Sequence, residues 1–220
     1  MTSSRTETLI DQLADGVRPV RPLRAPALRA LIAVSAIALV AGLAIAMLGD
    51  VEDLRQRYAG REALLALEMA AMLATAALAI VAAFFVSIPG RSTRWRAVPI
   101  PSFALWLLLS GLGCYGDFVR RGGVGWELGE SMHCLLFILA TSAMLAPLLI
   151  WRLARAKPID PLSVALLGGL GVAATSVLVL LFFHPFAVTF IDLAVHLVAI
   201  LIVVGTVGLL DRARSLHRNL

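Results

Sequence analysis

Residues 161–183 read PLSVALLGGLGVAATSVLVLLFF, a run of 23 residues without a charged side chain. One α-helix of this length crosses the hydrocarbon core of a bilayer, which is about 30 Å thick and requires roughly 17–25 apolar residues. Ala165, Gly169 and Ala173 recur at four-residue intervals within the run, and small residues so spaced let membrane helices approach closely. The run therefore predicts a transmembrane helix packed against neighbouring helices.

Five more runs of the same kind lie along the chain, at residues 27–49, 63–88, 98–116, 131–151 and 190–210. The 220 residues are 60% hydrophobic and 15% charged, and their mean hydropathy is +0.91. A soluble domain is only about 45–50% apolar and about 25% charged, so a water-soluble fold is excluded. The sequence predicts an all-α membrane protein, a bundle of six transmembrane helices whose loops are too short for a second folded domain.

Rows of small residues also occur in the first two spans. They are Gly42 and Ala46 in the first span, and Ala66, Ala70 and Ala74 in the second. By the same reasoning these rows predict the faces on which the two helices pack. We expect them to join helices rather than to bind a ligand.

Most of the positive charge lies in alternate loops. Of the nineteen Lys and Arg residues, fourteen precede or open the first span, follow the second or fourth span, or follow the last: Arg5, Arg18, Arg21, Arg24, Arg29, Arg91, Arg94, Arg96, Arg152, Arg155, Lys157, Arg212, Arg214 and Arg218. Cytoplasmic segments of membrane proteins carry such an excess. We therefore expect both termini in the cytoplasm, with a cytoplasmic segment at 1–26, a transmembrane domain at 27–210 and a cytoplasmic tail at 211–220.

The segment before the first span predicts a short amphipathic helix. Ser4 and Glu7 fit the capping box S-x-x-E at a helix start, and Leu9, Ile10 and Leu13 follow at helical spacing. A helix of roughly eleven residues is too short to be stable alone in water, so its apolar side should dock on something. A protein partner and the lipid surface both remain open. Three prolines then form a stiff connector to the membrane: Pro19, Pro22 and Pro26.

Few ionisable side chains lie at membrane depth, namely Glu68 in the second span and Asp192 and His196 in the last. Such groups are costly at membrane depth, so each is a candidate functional residue. All three lie near the predicted outer ends of their spans, where interfacial water or a hydrogen bond within the bundle is the simpler interpretation. The span interiors carry no further charges in series towards the cytoplasmic side, which argues against an ion pump.

Thiol and imidazole groups collect on the predicted outer side, at Cys114, His133, Cys134, His184 and His196. A short loop joins the helices of Cys114 and Cys134, so we expect these helices to be neighbours and a disulfide to be geometrically possible. Sulfur and imidazole also suit zinc or copper, although the spacing matches no metal fingerprint. A disulfide, a metal site and simple packing of buried thiols remain open. Known catalytic motifs are missing from the sequence, so neither a cofactor nor an enzymatic activity is predicted.

Several shorter stretches are distinctive. They are TLIDQLA at 8–14, PVRPLRAP at 19–26, MHCL at 132–135, PIDP at 158–161 before the glycine-rich fifth span, and His196 in the sixth. Together with six spans and short loops, these stretches resemble the NrsF family, membrane-bound negative regulators of an extracytoplasmic-function sigma factor. The resemblance covers nearly the whole chain, and the leader with its proline connector is its most distinctive part.

The resemblance implies an anti-sigma factor in a bacterial inner membrane. Its cytoplasmic N-terminal segment would sequester the sigma factor until metal or oxidative stress is sensed in the periplasm. In this chain Leu9, Ile10 and Leu13 would form the apolar contact, with Asp11 and Arg21 as polar contacts. The implied partners are the sigma factor and the lipid bilayer, without direct contact to nucleic acid.

The resemblance also implies two cysteines near the periplasmic face. Cys134 matches one of them, but at the other position, before a proline after the fifth span, this chain has His184. Two arrangements follow, Cys114 as the partner of Cys134, or a metal held by Cys134, His133 and His184. A different class of function also remains open, namely a small membrane transporter or redox enzyme. It would use Glu68, Asp192, His196 and the cysteines directly.

Overall fold

The computed structural model describes residues 3–15, 23–120, 128–156, 158–183 and 189–217. All regular structure in these ranges is helical. In chain order the α-helices are α1 Ser3–Asp15, α2 Pro26–Leu48, α3 Val51–Arg57, α4 Glu62–Val86, α5 Ile100–Arg120, α6 Leu128–Ala154, α7 Pro161–Leu180 and α8 Phe190–His217, and a short 3-10 helix, Thr93–Ala97, precedes α5.

Six of these helices are long and apolar enough to cross a membrane: α2, α4, α5 with the preceding 3-10 turn, α6, α7 and α8. They correspond one to one with the predicted spans, so the all-α, six-helix fold is confirmed. Several boundaries differ: α5 continues to Arg120, and α6 extends from Leu128 to Ala154. α7 ends at Leu180, because residues 181–183 form a turn, and α8 continues to His217. The predicted tail is therefore, as far as His217, an extension of the last helix.

α7 is the central helix of the bundle. In its most apolar window 72% of the residues are buried inside the protein, against 17% for α2. Two glycines make this central position possible, because a Cβ on Gly171 would lie 2.6 Å from Ile80 Cγ1 of α4, and one on Gly169 would lie 3.0 Å from Val204 Cα of α8. The predicted packing row at Ala165, Gly169 and Ala173 is thus confirmed, since all three residues are buried.

The packing rows predicted for the first two spans are wrong. Ala66, Ala70, Gly42 and Ala46 face outward and Ala74 is only half-buried, whereas α4 buries Ala76, Ala79 and Ala83 and α2 buries Ala30 and Ala33. Small residues occur all around α4, so their spacing cannot identify the packed face. The packed face is the one that fits the glycines of α7.

α3 lies in the loop that joins the first two spans and was not predicted. It covers the end of α7, where the last carbonyl groups of a helix have no partner within the helix. The Arg57 guanidinium donates to the Leu181 carbonyl over 3.1 Å and to the Asp53 carboxylate over 2.8 Å, and Asp50 N–H donates to the Phe182 carbonyl over 3.0 Å. We call this end of the bundle the α3 end.

The opposite end carries the 3-10 helix and most of the described arginines, and we call it the basic end. Arg96 forms a 2.6 Å ion pair with Asp160, which also caps α7 by accepting hydrogen bonds from Ser163 N–H and Oγ–H over 3.2 and 2.7 Å. The hydrogen bonds from Ser163 and the charge of Arg96 hold the pKa of the Asp160 carboxyl below its usual value. These contacts fix two loops of the basic end to each other.

Candidate functional site

The N-terminal helix α1 has an exposed apolar face. We define the α1 apolar face as Leu9, Ile10 and Leu13, whose side chains are 54%, 58% and 64% exposed. Every side chain at residues 6–15 is exposed, so in the described chain α1 is not packed into the bundle. The predicted helix is confirmed, although it begins at Ser3, ahead of the predicted cap at Ser4.

Two polar contacts with the partner were predicted, one from Asp11 of α1 and one from Arg21 of the connector. Asp11 is exposed, and at about 100° per residue its side chain leaves α1 on the side opposite to Leu9 and Leu13. A partner that touches both sides must therefore enclose the helix in a groove. Arg21 lies outside the described residues, as does most of the connector.

Within the bundle, polar groups from four elements meet near the α3 end. We define the Glu68 cluster as Tyr58, Glu68, Ser110 and His196. Ser110 of α5 donates a hydrogen bond to Glu68 Oε1, and the Tyr58 hydroxyl, just after α3, lies 3.5 Å from Glu68 Oε2. Glu68 is only 6% exposed. Hydrogen bonds of this kind are what a carboxyl group needs when it is buried among apolar helices.

His196 of α8 faces the same point. It lines a cavity of about 20 Å³ together with Glu68, Ser110 and Trp106, a volume that admits about one water molecule. Trp106 is 2% exposed, and its Nε1–H has no hydrogen-bond partner among the described residues. The cluster can therefore hold a water or a proton between helices, but it is not a path across the bundle.

Sequence reasoning found Glu68 and His196 but missed Ser110, Tyr58 and Trp106. A signal for Ser110 exists. Spans two and three run in opposite directions, and Ser110 lies about as far from the outer end of its span as Glu68 does from the outer end of its own. The position of Tyr58 depends on α3, which the sequence did not reveal.

Asp192 lies at the start of α8, one helical turn before His196. Its carboxylate accepts hydrogen bonds from Thr189 N–H and Oγ–H, both over 2.9 Å, and its own N–H lies 3.2 Å from Thr189 Oγ1. This reciprocal pattern is a capping box. These hydrogen bonds are local to the start of α8, and a functional role of Asp192 stays a prediction.

The two cysteines are buried, Cys114 to 3% exposure and Cys134 to 4%, and no disulfide joins them. The expectation that their helices pack side by side is wrong. The closely packed pairs are α5 with α4 and α8, and α6 with α7 and α8, because α8 lies between α5 and α6. Cys134 belongs to the apolar cluster around Ile138 and Ala173.

The predicted metal ligands are not brought together in the described part of the chain. His133 is exposed whereas its neighbour Cys134 is buried, because adjacent residues of a helix point about 100° apart. His184 lies outside the described residues. Among the residues that the structure covers, no three His, Cys, Asp or Glu side chains are grouped closely enough to hold a metal ion. The sensing role of these residues stays a prediction.

Six apolar helices of membrane-spanning length, with an exposed amphipathic helix ahead of them, are the features of a multi-pass helical membrane protein. The family model of NrsF, described as negative regulator of sigma F, matches residues 13–216. The chain belongs to this family, whose description names a regulatory rather than an enzymatic role. The match begins at Leu13, so most of α1 precedes it. Neither a curated protein nor a solved structure matches the chain.

Proposed function

We propose that this protein is an anti-sigma factor of a bacterial inner membrane. It sequesters an extracytoplasmic-function sigma factor through its cytoplasmic N-terminal segment and releases it on metal or oxidative stress in the periplasm. Membership of the NrsF family supports a sigma factor as partner. The observation that carries the proposal is the α1 apolar face, which the described bundle leaves exposed.

The size of this face sets what it can contribute. Burying three aliphatic side chains contributes about 5–9 kcal/mol, before the cost of association, which is of similar size. α1 has 13 residues, so it is marginal as an isolated helix and gains stability from a groove that covers its apolar side. Tight sequestration therefore needs further contacts, for which Asp11 and the connector residue Arg21 are the candidates.

The test is a reporter that depends on a co-encoded sigma factor, with repression by the full-length chain as the readout. Replacing Leu9, Ile10 and Leu13 by Asp should abolish repression and co-purification, because three buried charges cannot be accommodated in an apolar groove. Thr8→Asp is the matched control, since Thr8 leaves α1 on the side away from this face. Unchanged repression by the triple variant would overturn the proposal.

The lipid surface is the competing site for α1. If the α1 apolar face only lies on lipid, the triple variant should keep the sigma factor bound while its α1 becomes more accessible to protease in vesicles. Binding of α1 to the sigma factor and binding of α1 to lipid thus predict opposite results in the co-purification experiment. Membrane fractionation of both variants shows whether the bundle itself is still inserted.

Release is assigned to Cys134, whose thiol lies in the packed interior of α6. Oxidation of a buried thiol or binding of a metal to it adds volume and charge where the helices are close-packed. The added volume and charge would shift α6 and weaken binding of the sigma factor. Cys134→Ser should block induction by metal and oxidant. Cys114→Ser is the matched control, which tests whether a pair of thiols is required. An intact stress response in Cys134→Ser would contradict this release mechanism but would not contradict the sequestration proposal.

One observation favours the alternative of a transporter or redox enzyme, namely that Glu68 and His196 line one cavity. The room for about one water fits a local hydrogen-bond site better than a substrate pathway. Purified chain in liposomes discriminates: flux or thiol turnover that survives deletion of residues 3–15 would support the alternative.

A further inference from the structure

A second, larger cavity lies between α6 and α8, towards the basic end. This α6–α8 groove has a volume of about 560 Å³, within the range of sites that bury small molecules. It extends along α6 from Leu139 to Ala154 and along α8 from Ile202 to Val207. The stretch of α6 is about 22 Å long at 1.5 Å per residue, which is more than the thickness of one leaflet of a roughly 30 Å core.

As far as the side chains are described, the lining of the groove is apolar apart from two hydroxyls, Ser142 and Thr206. Both hydroxyls are already bonded, Ser142 to Ser176 Oγ over 3.0 Å and Thr206 to the Val203 carbonyl over 3.0 Å. Pro147 of α6 also lines the groove. It lacks the N–H that the Ala143 carbonyl would otherwise accept from, and such a proline opens or bends a helix.

An arginine, Arg155, stacks on the residue at the basic end of the groove. Trp151 forms the lining of the groove at the basic end, with the Arg155 guanidinium 3.8 Å and the Arg152 guanidinium 5.8 Å from the centre of its ring. At about 100° per residue, Arg152 leaves α6 on the side opposite to the residues that line the groove, and its Nε is buried. Among the described side chains that line the groove, none is acidic. The acidic residue Asp211 follows Val207 by one turn of α8, and Arg212 and Arg214 come after it.

We propose that the α6–α8 groove binds one anionic phospholipid, with an acyl chain along α6 and α8 and the phosphate at Arg155. Trp side chains mark the level of the lipid headgroups in membrane proteins, so Trp151 places Arg155 where a phosphate lies. Basic pockets between transmembrane helices on the cytoplasmic side bind anionic headgroups in this way. The inference assumes the membrane orientation proposed above and does not depend on the sigma factor.

The site is tested by native mass spectrometry of the full-length chain in detergent, with phosphatidylglycerol or phosphatidylcholine added at equal concentration. The chain should retain one phosphatidylglycerol in preference to phosphatidylcholine. Arg155→Gln should weaken retention about fivefold, which is about 1 kcal/mol at 1.4 kcal/mol per factor of ten. Arg94→Gln is the matched control, because Arg94 is an exposed arginine of the same end outside the groove, and it should retain the lipid as the wild type does.

The apolar part of the groove is tested by filling it. Ala143 is exposed and lines the groove, so Ala143→Phe should exclude the acyl chain without disturbing the core. Met144 is the neighbouring exposed residue outside the lining, and Met144→Phe should leave retention unchanged. Equal loss in Arg94→Gln and Arg155→Gln, or equal retention of the two lipids, would overturn the proposal. So would a change of oligomeric state in Ala143→Phe with lipid retention intact, because a second copy of the chain would then occupy the groove.

Discussion

The carboxyl group of Glu68 on α4 accepts a hydrogen bond from the hydroxyl of Ser110 on α5. The two residues are 42 positions apart in the chain, and both are buried where α4 and α5 pack. An acidic side chain in a transmembrane helix is thus accommodated by a partner on the next helix, with Tyr58 and His196 beside it.

Ser110→Ala removes this hydrogen bond and is expected to destabilise the bundle. Interhelical hydrogen bonds in a membrane protein contribute about 0.6 kcal/mol on average and up to about 1.7 kcal/mol, and a buried carboxyl acceptor should lie at the upper end. The free energy of unfolding in detergent micelles measures the effect. Ser35→Ala on α2, where the serine is exposed, should change it little. Equal stability of the two variants would contradict the role of Ser110.

Gly171→Ala tests the close approach of α7 and α4. The new Cβ would lie 2.6 Å from Ile80 Cγ1 and 3.2 Å from the Ala76 carbonyl oxygen. Ile80 is stiff at χ1 and 1% exposed, so it cannot move aside, and overpacking of this kind costs about 1–3 kcal/mol.

Gly205→Ala on α8 is the control, since its Cβ would meet nothing within 4 Å. It should be neutral or slightly stabilising, because alanine favours a helix over glycine by up to about 1 kcal/mol. Thermal unfolding of the purified chain compares the two. A Gly171→Ala variant as stable as Gly205→Ala would contradict the close approach of α7 and α4 at Gly171 and Ile80.

Arg57→Ala should loosen α3 from the end of α7. The change removes the hydrogen bond to the Leu181 carbonyl and the ion pair with Asp53, so the backbone amides of α3 should exchange with solvent faster. Hydrogen exchange measured by mass spectrometry reports this directly. Arg55→Ala is the control, since Arg55 is an exposed arginine of the same helix, and equal exchange in the two variants would argue against the cap.

The ion pair at the basic end predicts a pH dependence. The pKa of Asp160 is lowered in the folded state, so its contribution to stability is present above the unfolded pKa of about 3.9 and is lost as the pH falls through the folded value. Asp160→Asn should therefore be less stable than the wild type at pH 7, with the difference shrinking below about pH 4.

Thermal unfolding at several pH values measures this difference. The Asp160 side chain is 38% exposed, so the effect should be modest, and salt should reduce the part due to Arg96. A difference that grows on acidification would contradict the assignment.

The candidate site was predictable in part. Hydropathy singled out Glu68 and His196, because ionisable residues stand out in apolar spans, and the capping pattern and apolar spacing identified α1. The prediction paired Cys114 with Cys134 from a short connecting loop, whereas α8 lies between their helices. Loop length restricts the distance between helix ends but does not decide which third helix enters between them.

The sequence by itself determined the number and order of the six spans and where along the chain each lies, because crossing a bilayer depends on a continuous local run of apolar residues. The tertiary structure alone decided which face of each span is buried. Lipid tails and a helix interface are equally apolar, so hydropathy cannot distinguish the buried Ala79 from the exposed Ala70 on the same helix. That choice follows from shape, as where Gly171 of α7 meets Ile80 of α4, and from hydrogen bonds between helices, as between Glu68 and Ser110.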